Sequence, residues 1–212
     1  MGSDIPKQFL PVGGKPLLMR TIEHFHTFDE TMPITLVLPQ QHHDYWQELC
    51  HKYRFEIPHQ VVNGGDERFF SVKNALATIP DGVLVGIHDG VRPFVSHDTI
   101  EQAFAEAEKN GCAVPALPSS DSVRIADGDT SAPLDRNKVM LVQTPQCFRS
   151  EIIKAAYQAE YNPLFTDDAT VVETVLKKEI RITPGNRENI KITTRFDLEL
   201  ANLIYNNQTN KE

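Results

Sequence analysis

The sequence predicts an α/β fold with a largely parallel, doubly wound sheet, and three observations carry that prediction. Apolar runs of strand length alternate with segments whose apolar residues recur at helical spacing. The most apolar run, residues 83–87, ends in His88-Asp89-Gly90. A stretch of small, polar and charged residues from 118 to 138 interrupts the alternation. At 212 residues the length fits one large domain or two small ones with a sizeable core, and a single domain, 1–212, is expected.

Taken in order, a Gly13-Gly14 turn leads to Pro16, which suits the first turn of a helix with Leu18, Ile22 and Phe25 on one face. Residues 34–38 form a short apolar run stopped by Pro39, a buried strand. A polar helix is expected over 45–53 and a short strand over 60–62. Phe69, Val72, Leu76 and Ile79 mark the next amphipathic helix, which opens after Gly64-Gly65. The run 83–87 is expected to be the clearest buried strand. Ser96 caps a helix whose buried face is Ile100, Phe104 and Ala107. Residues 113–117, 139–142, 180–182 and 190–192 read as strands. Thr166 reads as an N-cap, with Asp167 and Asp168 in the first turn where negative charge suits the helix dipole. Thr194 with Asp197 three residues on resembles a capping box for the last helix. The stretch 118–138 is too long for an ordinary connection, so an excursion with its own strands or a mobile segment is expected there.

The formal charge of −8 and the pI near 5.5 disfavour a nucleic-acid partner, because an acidic surface repels a phosphate backbone. No apolar run approaches bilayer-spanning length and no signal-peptide pattern opens the chain, so no membrane association and a cytoplasmic location are expected. Cys50, Cys112 and Cys147 are dispersed and odd in number, which fits reduced thiols.

Asp89 is the first candidate for chemistry. It ends the most apolar strand, where open α/β sheets place their ligand crevice. A carboxylate there can hold Mg²⁺ or a ribose hydroxyl, and Arg92, three residues on, can bind phosphate; the plainer account is an Asp–Arg pair stiffening a turn. Gly65, Arg68 and Ser71 stand at the opening of a helix, where backbone N–H groups approach a ligand closely, although such a glycine turn is often only a turn. Lys7, Lys191 and Arg136 are solvated cations on the plain reading. Thr144, in Thr144-Pro145-Gln146, can orient a phosphate or merely end a strand, and Thr166 can be only a cap. The eight histidines show no metal-ligand spacing, and no hydrolase elbow, P-loop or dinucleotide fingerprint is present.

The ordered set Pro6-Lys7-Gln8-Phe9-Leu10, Gly14-Lys15-Pro16, Gly65-x-x-Arg68-x-x-Ser71-Val72, Asp89-Gly90-Val91-Arg92-Pro93, Asp135-Arg136-Asn137, Thr144-Pro145-Gln146, Thr166-Asp167 and Asn189-Ile190-Lys191-Ile192-Thr193 resembles the 2-C-methyl-D-erythritol 4-phosphate cytidylyltransferases from about Pro6 to Leu203. The resemblance implies a Rossmann-like sheet and an enzyme that joins CMP from CTP to a polyol phosphate, with release of pyrophosphate, in isoprenoid precursor synthesis. It implies Lys7 and Lys191 as catalytic lysines at the α-phosphate, and Gly65, Arg68 and Ser71 as the cytosine pocket. It implies Asp89 near the ribose as the Mg²⁺ ligand, and Arg92, Ser122, Arg136, Thr144 and Thr166 as the pocket for the acceptor. Residues 118–138 would be a dimerisation arm that clasps a second subunit of a homodimer. Members of the family carry a first strand and a Gly-rich loop ahead of the position of Met1, so that strand is expected upstream. Ribitol-5-phosphate cytidylyltransferases share nearly every motif, and a non-catalytic nucleotide-binding relative is the other alternative.

Overall fold

Local pattern and long-range pairing together set the architecture. The structure is a computed structural model that describes residues 6–209. A 3₁₀ turn at Lys7–Phe9 leads into the small ribbon β1 (Pro11–Val12) and β2 (Lys15–Pro16), and α1 (Leu17–Phe28) follows. Pro16 stands one position before the helix rather than in its first turn. Next come β3 (Thr35–Leu38), α2 (His43–Tyr53), β4 (Gln60–Asn63), α3 (Arg68–Leu76), β5 (Leu84–Ile87) and α4 (His97–Asn110). Ser96 caps α4 as its type predicts, its Oγ accepting from Thr99 N–H at 3.1 Å. Gly111, at φ 93°, ends α4 in the left-handed region, where a side chain would be strained.

The second half contains β6 (Cys112–Pro118), β7 (Val123–Asp127), β8 (Thr130–Leu134), β9 (Met140–Val142), β10 (Gln146–Arg149), α5 (Ser150–Ala156), α6 (Asp168–Leu176), β11 (Arg181–Pro184) and α7 (Arg195–Thr209). The capping box at α7 is present: Thr194 N–H donates to Asp197 Oδ2 at 2.7 Å and Asp197 N–H donates to Thr194 Oγ1 at 3.1 Å. At α6 the cap is Asp167, not Thr166. Its Oδ1 takes both the N–H and the hydroxyl of Thr170, at 2.8 and 2.6 Å, a stronger acceptor than a threonine could offer.

The main sheet runs β11-β6-β10-β5, with β9 on the far end of β6. It is mixed rather than mostly parallel. β6 and β11 run parallel, whereas β10 lies antiparallel between β5 and β6. Neither the strand β10 nor the helix α5 is announced by the sequence pattern. Alternation along β10 explains its place. Phe148 and Cys112 face the layer of α3, α5 and α6, while Cys147 and Ala113 face α4. A separate parallel pair, β3 with β4, packs against α1 and α2 around Leu18, Leu36, Leu38 and Trp46.

Two further expectations are corrected. β5 is half-buried rather than the most buried strand, because among the described residues it bonds only to β10. Residues 190–192 form no strand; Ile192 instead packs, fully buried, beside Val91 and Ala201. The stretch 118–138 is indeed an excursion with strands of its own. β7 and β8 pair antiparallel from Val123↔Leu134 to Asp127↔Thr130, and nearly every residue of the ribbon is exposed.

Candidate active site

At the carboxyl end of β5 the chain turns tightly, with Arg92 N–H donating to the carbonyl of Asp89 at 3.0 Å. The Asp89 carboxylate sits between two cations. Arg92 Nε donates to its Oδ2 at 3.0 Å, and Lys191 Nζ lies 3.2 Å from the same oxygen. Burial pushes this carboxyl up, but the hydrogen bond from Arg92 and the charge of Lys191 outweigh it and hold the group below the ordinary carboxylate range. The Asp89 and Arg92 side chains are 15% and 12% exposed, against 44% for Lys191, so the lysine is the cation open to solvent. Two positive charges against one negative leave a local surplus suited to an anion, despite the acidic chain.

The turn is braced from behind by a hydrogen-bond network that the motifs did not announce. Arg92 Nη1 donates to the carbonyl of Asn189 at 2.7 Å. The fully buried Asn189 side chain donates in turn to Gln143 Oε1 at 3.2 Å and to the carbonyl of Thr144 at 2.9 Å. Thr144 Oγ1 accepts from Asp89 N–H at 3.1 Å and lies 3.0 Å from His88 Nδ1. Asn189 lies within the same short motif as Lys191, and His88 directly precedes Asp89; adjacency to a candidate was the only sequence signal for either.

A second group gathers at the start of α3. Gly65 N–H donates to Ser71 Oγ at 3.0 Å. A Cβ at Gly65 would come within 2.4 Å of Phe70 Cβ, so only glycine fits this approach. Arg68 grips the buried Asp168 with two hydrogen bonds of 2.8 and 2.5 Å, and Tyr157 Oη donates to the same carboxylate at 2.5 Å. Burial lowers the affinity of Arg68 for its proton, but the bonds and charge of Asp168 more than restore it. Burial, and next the Asp168 charge, push the Tyr157 phenol up. Gln146 ties α6 to this region, its Nε2 donating to Asp167 Oδ2 at 2.8 Å and its Oε1 accepting from Ala169 N–H at 2.9 Å.

The structure thus brings Asp89, Arg92, Lys191 and Thr144 into direct contact, and Gly65, Arg68 and Ser71 to one helix end. Thr166 is exposed just before α6, with its hydroxyl 3.3 Å from that of Thr170. Lys7 is exposed on the first 3₁₀ turn and makes no ion pair among the described residues. Ser122 and Arg136 are exposed at the base of the ribbon, where Arg136 Nη1 donates to the carbonyl of Ser120 at 3.1 Å. Neither contacts the Asp89 cluster within the chain.

Asp89 is the carboxylate available to a divalent cation at this turn. Its Oδ1 has no hydrogen-bond partner among the described residues, and these contain no cluster of three metal-ligating side chains. A single carboxylate suits Mg²⁺, which takes few protein ligands and fills its octahedron with phosphate oxygens and water. No helix among the described residues is long and apolar enough to cross a membrane.

Known proteins resemble this chain in sequence and in fold. The sequence profile of the 2-C-methyl-D-erythritol 4-phosphate cytidylyltransferases matches residues 1–207. The enzyme of that name from Bacteroides fragilis is 50% identical over 204 residues, covering 96% of this chain and 93% of the relative. Its counterpart from Clostridium acetobutylicum is 36% identical, covering 93% and 88%. Among solved structures, 4-diphosphocytidyl-2C-methyl-D-erythritol synthase from Anaerococcus prevotii superposes with a TM-score of 0.83 at 29% identity, covering 97% of this chain and 92% of that one.

Proposed function

Since the chain belongs to the 2-C-methyl-D-erythritol 4-phosphate cytidylyltransferase family, we propose that its activity is centred on the Asp89, Arg92 and Lys191 cluster. The protein is a nucleotidyltransferase that moves CMP from CTP to 2-C-methyl-D-erythritol 4-phosphate, releasing pyrophosphate. One observation carries the assignment of the site: a carboxylate oxygen shared by two cations at the carboxyl end of β5.

The reaction brings a phosphate monoester against the α-phosphorus of a triphosphate, so anion must approach anion. The acceptor is already ionised near neutral pH and requires no general base. The task of the protein is therefore to orient the reactants and offset charge. Lys191, half-exposed beside Asp89, and Lys7 stabilise the charge growing on the α-phosphoryl oxygens. Gly65, Arg68 and Ser71 form the cytosine side of the pocket, with Arg68 held in place by Asp168. Asp89 serves the ribose and would hold Mg²⁺, which supplies charge neutralisation to the triphosphate and the leaving pyrophosphate. Arg92, Thr144 and Thr166 form the acceptor side. The ribbon of β7 and β8 clasps a second copy, so that Ser122 and Arg136 complete the partner's acceptor pocket. Its exposed Ile125, 58% accessible, and Leu134, 40% accessible, favour a covered face. The unpaired thiols of Cys50, Cys112 and Cys147 fit a cytoplasmic setting.

Pyrophosphate release on mixing with CTP, Mg²⁺ and either 2-C-methyl-D-erythritol 4-phosphate or ribitol 5-phosphate tests the reading. Turnover with the methylerythritol substrate is expected to dominate. Faster release with ribitol 5-phosphate would overturn the acceptor, and none with either would overturn the activity.

A further inference from the structure

We propose that His88 is a positioning residue for the transfer, closing a ring of four hydrogen bonds that holds the Asp89 carboxylate between Arg92 and Lys191. The inference rests on Asp89 as the nucleotide-side carboxylate.

The proton positions follow from the partners. His88 Nε2 lies 2.9 Å from the carbonyl of Arg92, an atom that only accepts, so Nε2 carries the hydrogen. The neutral ring then has a bare Nδ1, 3.0 Å from Thr144 Oγ1, and the threonine hydroxyl donates to it. The same hydroxyl oxygen accepts from Asp89 N–H at 3.1 Å. The ring then closes. His88 donates to Arg92, Arg92 Nη1 to the carbonyl of Asn189, Asn189 Nδ2 to the carbonyl of Thr144, and Thr144 to His88. Residues from three separate stretches of chain are thereby tied to one imidazole. The face of that imidazole is fixed by the edge contact of Phe25 at 4.7 Å between ring centroids. Inside the ring the Asp89 backbone is held by Thr144 and its carboxylate by Arg92.

His88 touches neither nucleotide nor acceptor in this reading. Loss of the ring would leave the groups present but misplaced, which slows turnover more than it weakens binding. Thr144 also acquires a meaning beyond acceptor contact, because its hydroxyl is engaged as donor and as acceptor within the turn.

The test is steady-state kinetics with CTP, Mg²⁺ and 2-C-methyl-D-erythritol 4-phosphate on four variants of the full chain. These are His88→Phe, which keeps the ring volume, His88→Gln, which keeps a donor near the Arg92 carbonyl, Thr144→Val, and the His88→Gln/Thr144→Val pair. His88→Phe is expected to lower kcat about tenfold to a hundredfold, with the KM for CTP within about threefold of wild type and His88→Gln in between. Because the two side chains share the bond between Thr144 and His88, its loss is counted in both single variants, and the double variant is expected to be slowed by less than the product of the two single effects. Unchanged kcat in His88→Phe and His88→Gln, a rise in KM alone, or multiplying effects in the pair would overturn the proposal. If His88→Phe fails to fold, His88→Gln and the pair decide alone. Asp89→Asn separates the two levels. Wild-type turnover there removes the reading of Asp89, whereas an inactive Asp89→Asn beside fully active His88 variants removes only the positioning role.

Discussion

Breaking the ion pair between Arg68 and Asp168 should cost very different amounts depending on which partner is removed. Asp168 is wholly buried, while the Arg68 side chain is 40% exposed. In Arg68→Leu the carboxylate stays buried with Tyr157 Oη as its one remaining side-chain donor. Leaving a buried charge without its counter-ion costs about 3 kcal/mol or somewhat more. In Asp168→Asn the amide oxygen can still accept from Tyr157, and the freed guanidinium can turn to water, so the loss should be about 1 kcal/mol. For a chain of this size each kcal/mol corresponds to roughly 2–4 °C in Tm. Replacing both partners by leucine removes the stranded charge and should cost less than Arg68→Leu alone. Urea melts followed by circular dichroism at pH 7 without nucleotide would measure all three variants. Equal losses for the two single variants, or the larger loss in Asp168→Asn, would refute the argument from burial.

Three further outcomes follow from the geometry. Lys191→Ala and Lys7→Ala should each lower kcat by orders of magnitude, removing on the order of several kcal/mol of transition-state stabilisation, and near-wild-type turnover in a folded variant would exclude that lysine from the α-phosphate. Burial pushes the His88 imidazole from its ordinary 6.5 down to about 4. The unfolded chain therefore binds a proton that the folded chain refuses in this window. The contribution is complete above pH 6.5 and is lost as pH falls toward 4, with a slope of up to about 1.4 kcal/mol per pH unit. His24 is also pushed down by burial, so the check is the part of the slope, from urea midpoints between pH 4.5 and about 7, that disappears in His88→Gln. If the ribbon clasps a second copy as proposed, light scattering of the intact chain should give a dimer, and replacing residues 123–134 with a short glycine turn should give a monomer whose KM for the acceptor is raised because Ser122 and Arg136 no longer reach the other subunit; a dimer that survives the deletion would remove the ribbon from the interface.

Local features of the fold are legible because they rest on interactions between near neighbours. The cap at Ser96 and the box of Thr194 with Asp197 are contacts three residues apart, so residue type and spacing are enough to announce them. Helical and strand periodicity likewise marks α1, β4 and β6, because an apolar face repeats within a few residues of itself. The place of Asp89 just past the end of a strand was legible for the same reason.

Longer-range facts had no such signature. β10 is four residues of mixed character, and only packing between two helical layers makes it an antiparallel strand. Residues 190–192 alternate like a strand, yet burying Ile192 against α7 and Val91 takes precedence over pairing. Arg68 finds Asp168 across 100 residues and Arg92 finds Asn189 across 97. From sequence, then, came many of the element types and the candidate cations and carboxylate; from tertiary structure came which of them share an oxygen and which are used up by neighbours. The physical reason is that short-range pattern records the energetics of one helix or strand, whereas a buried charge or amide takes whatever partner the completed fold brings within hydrogen-bond reach.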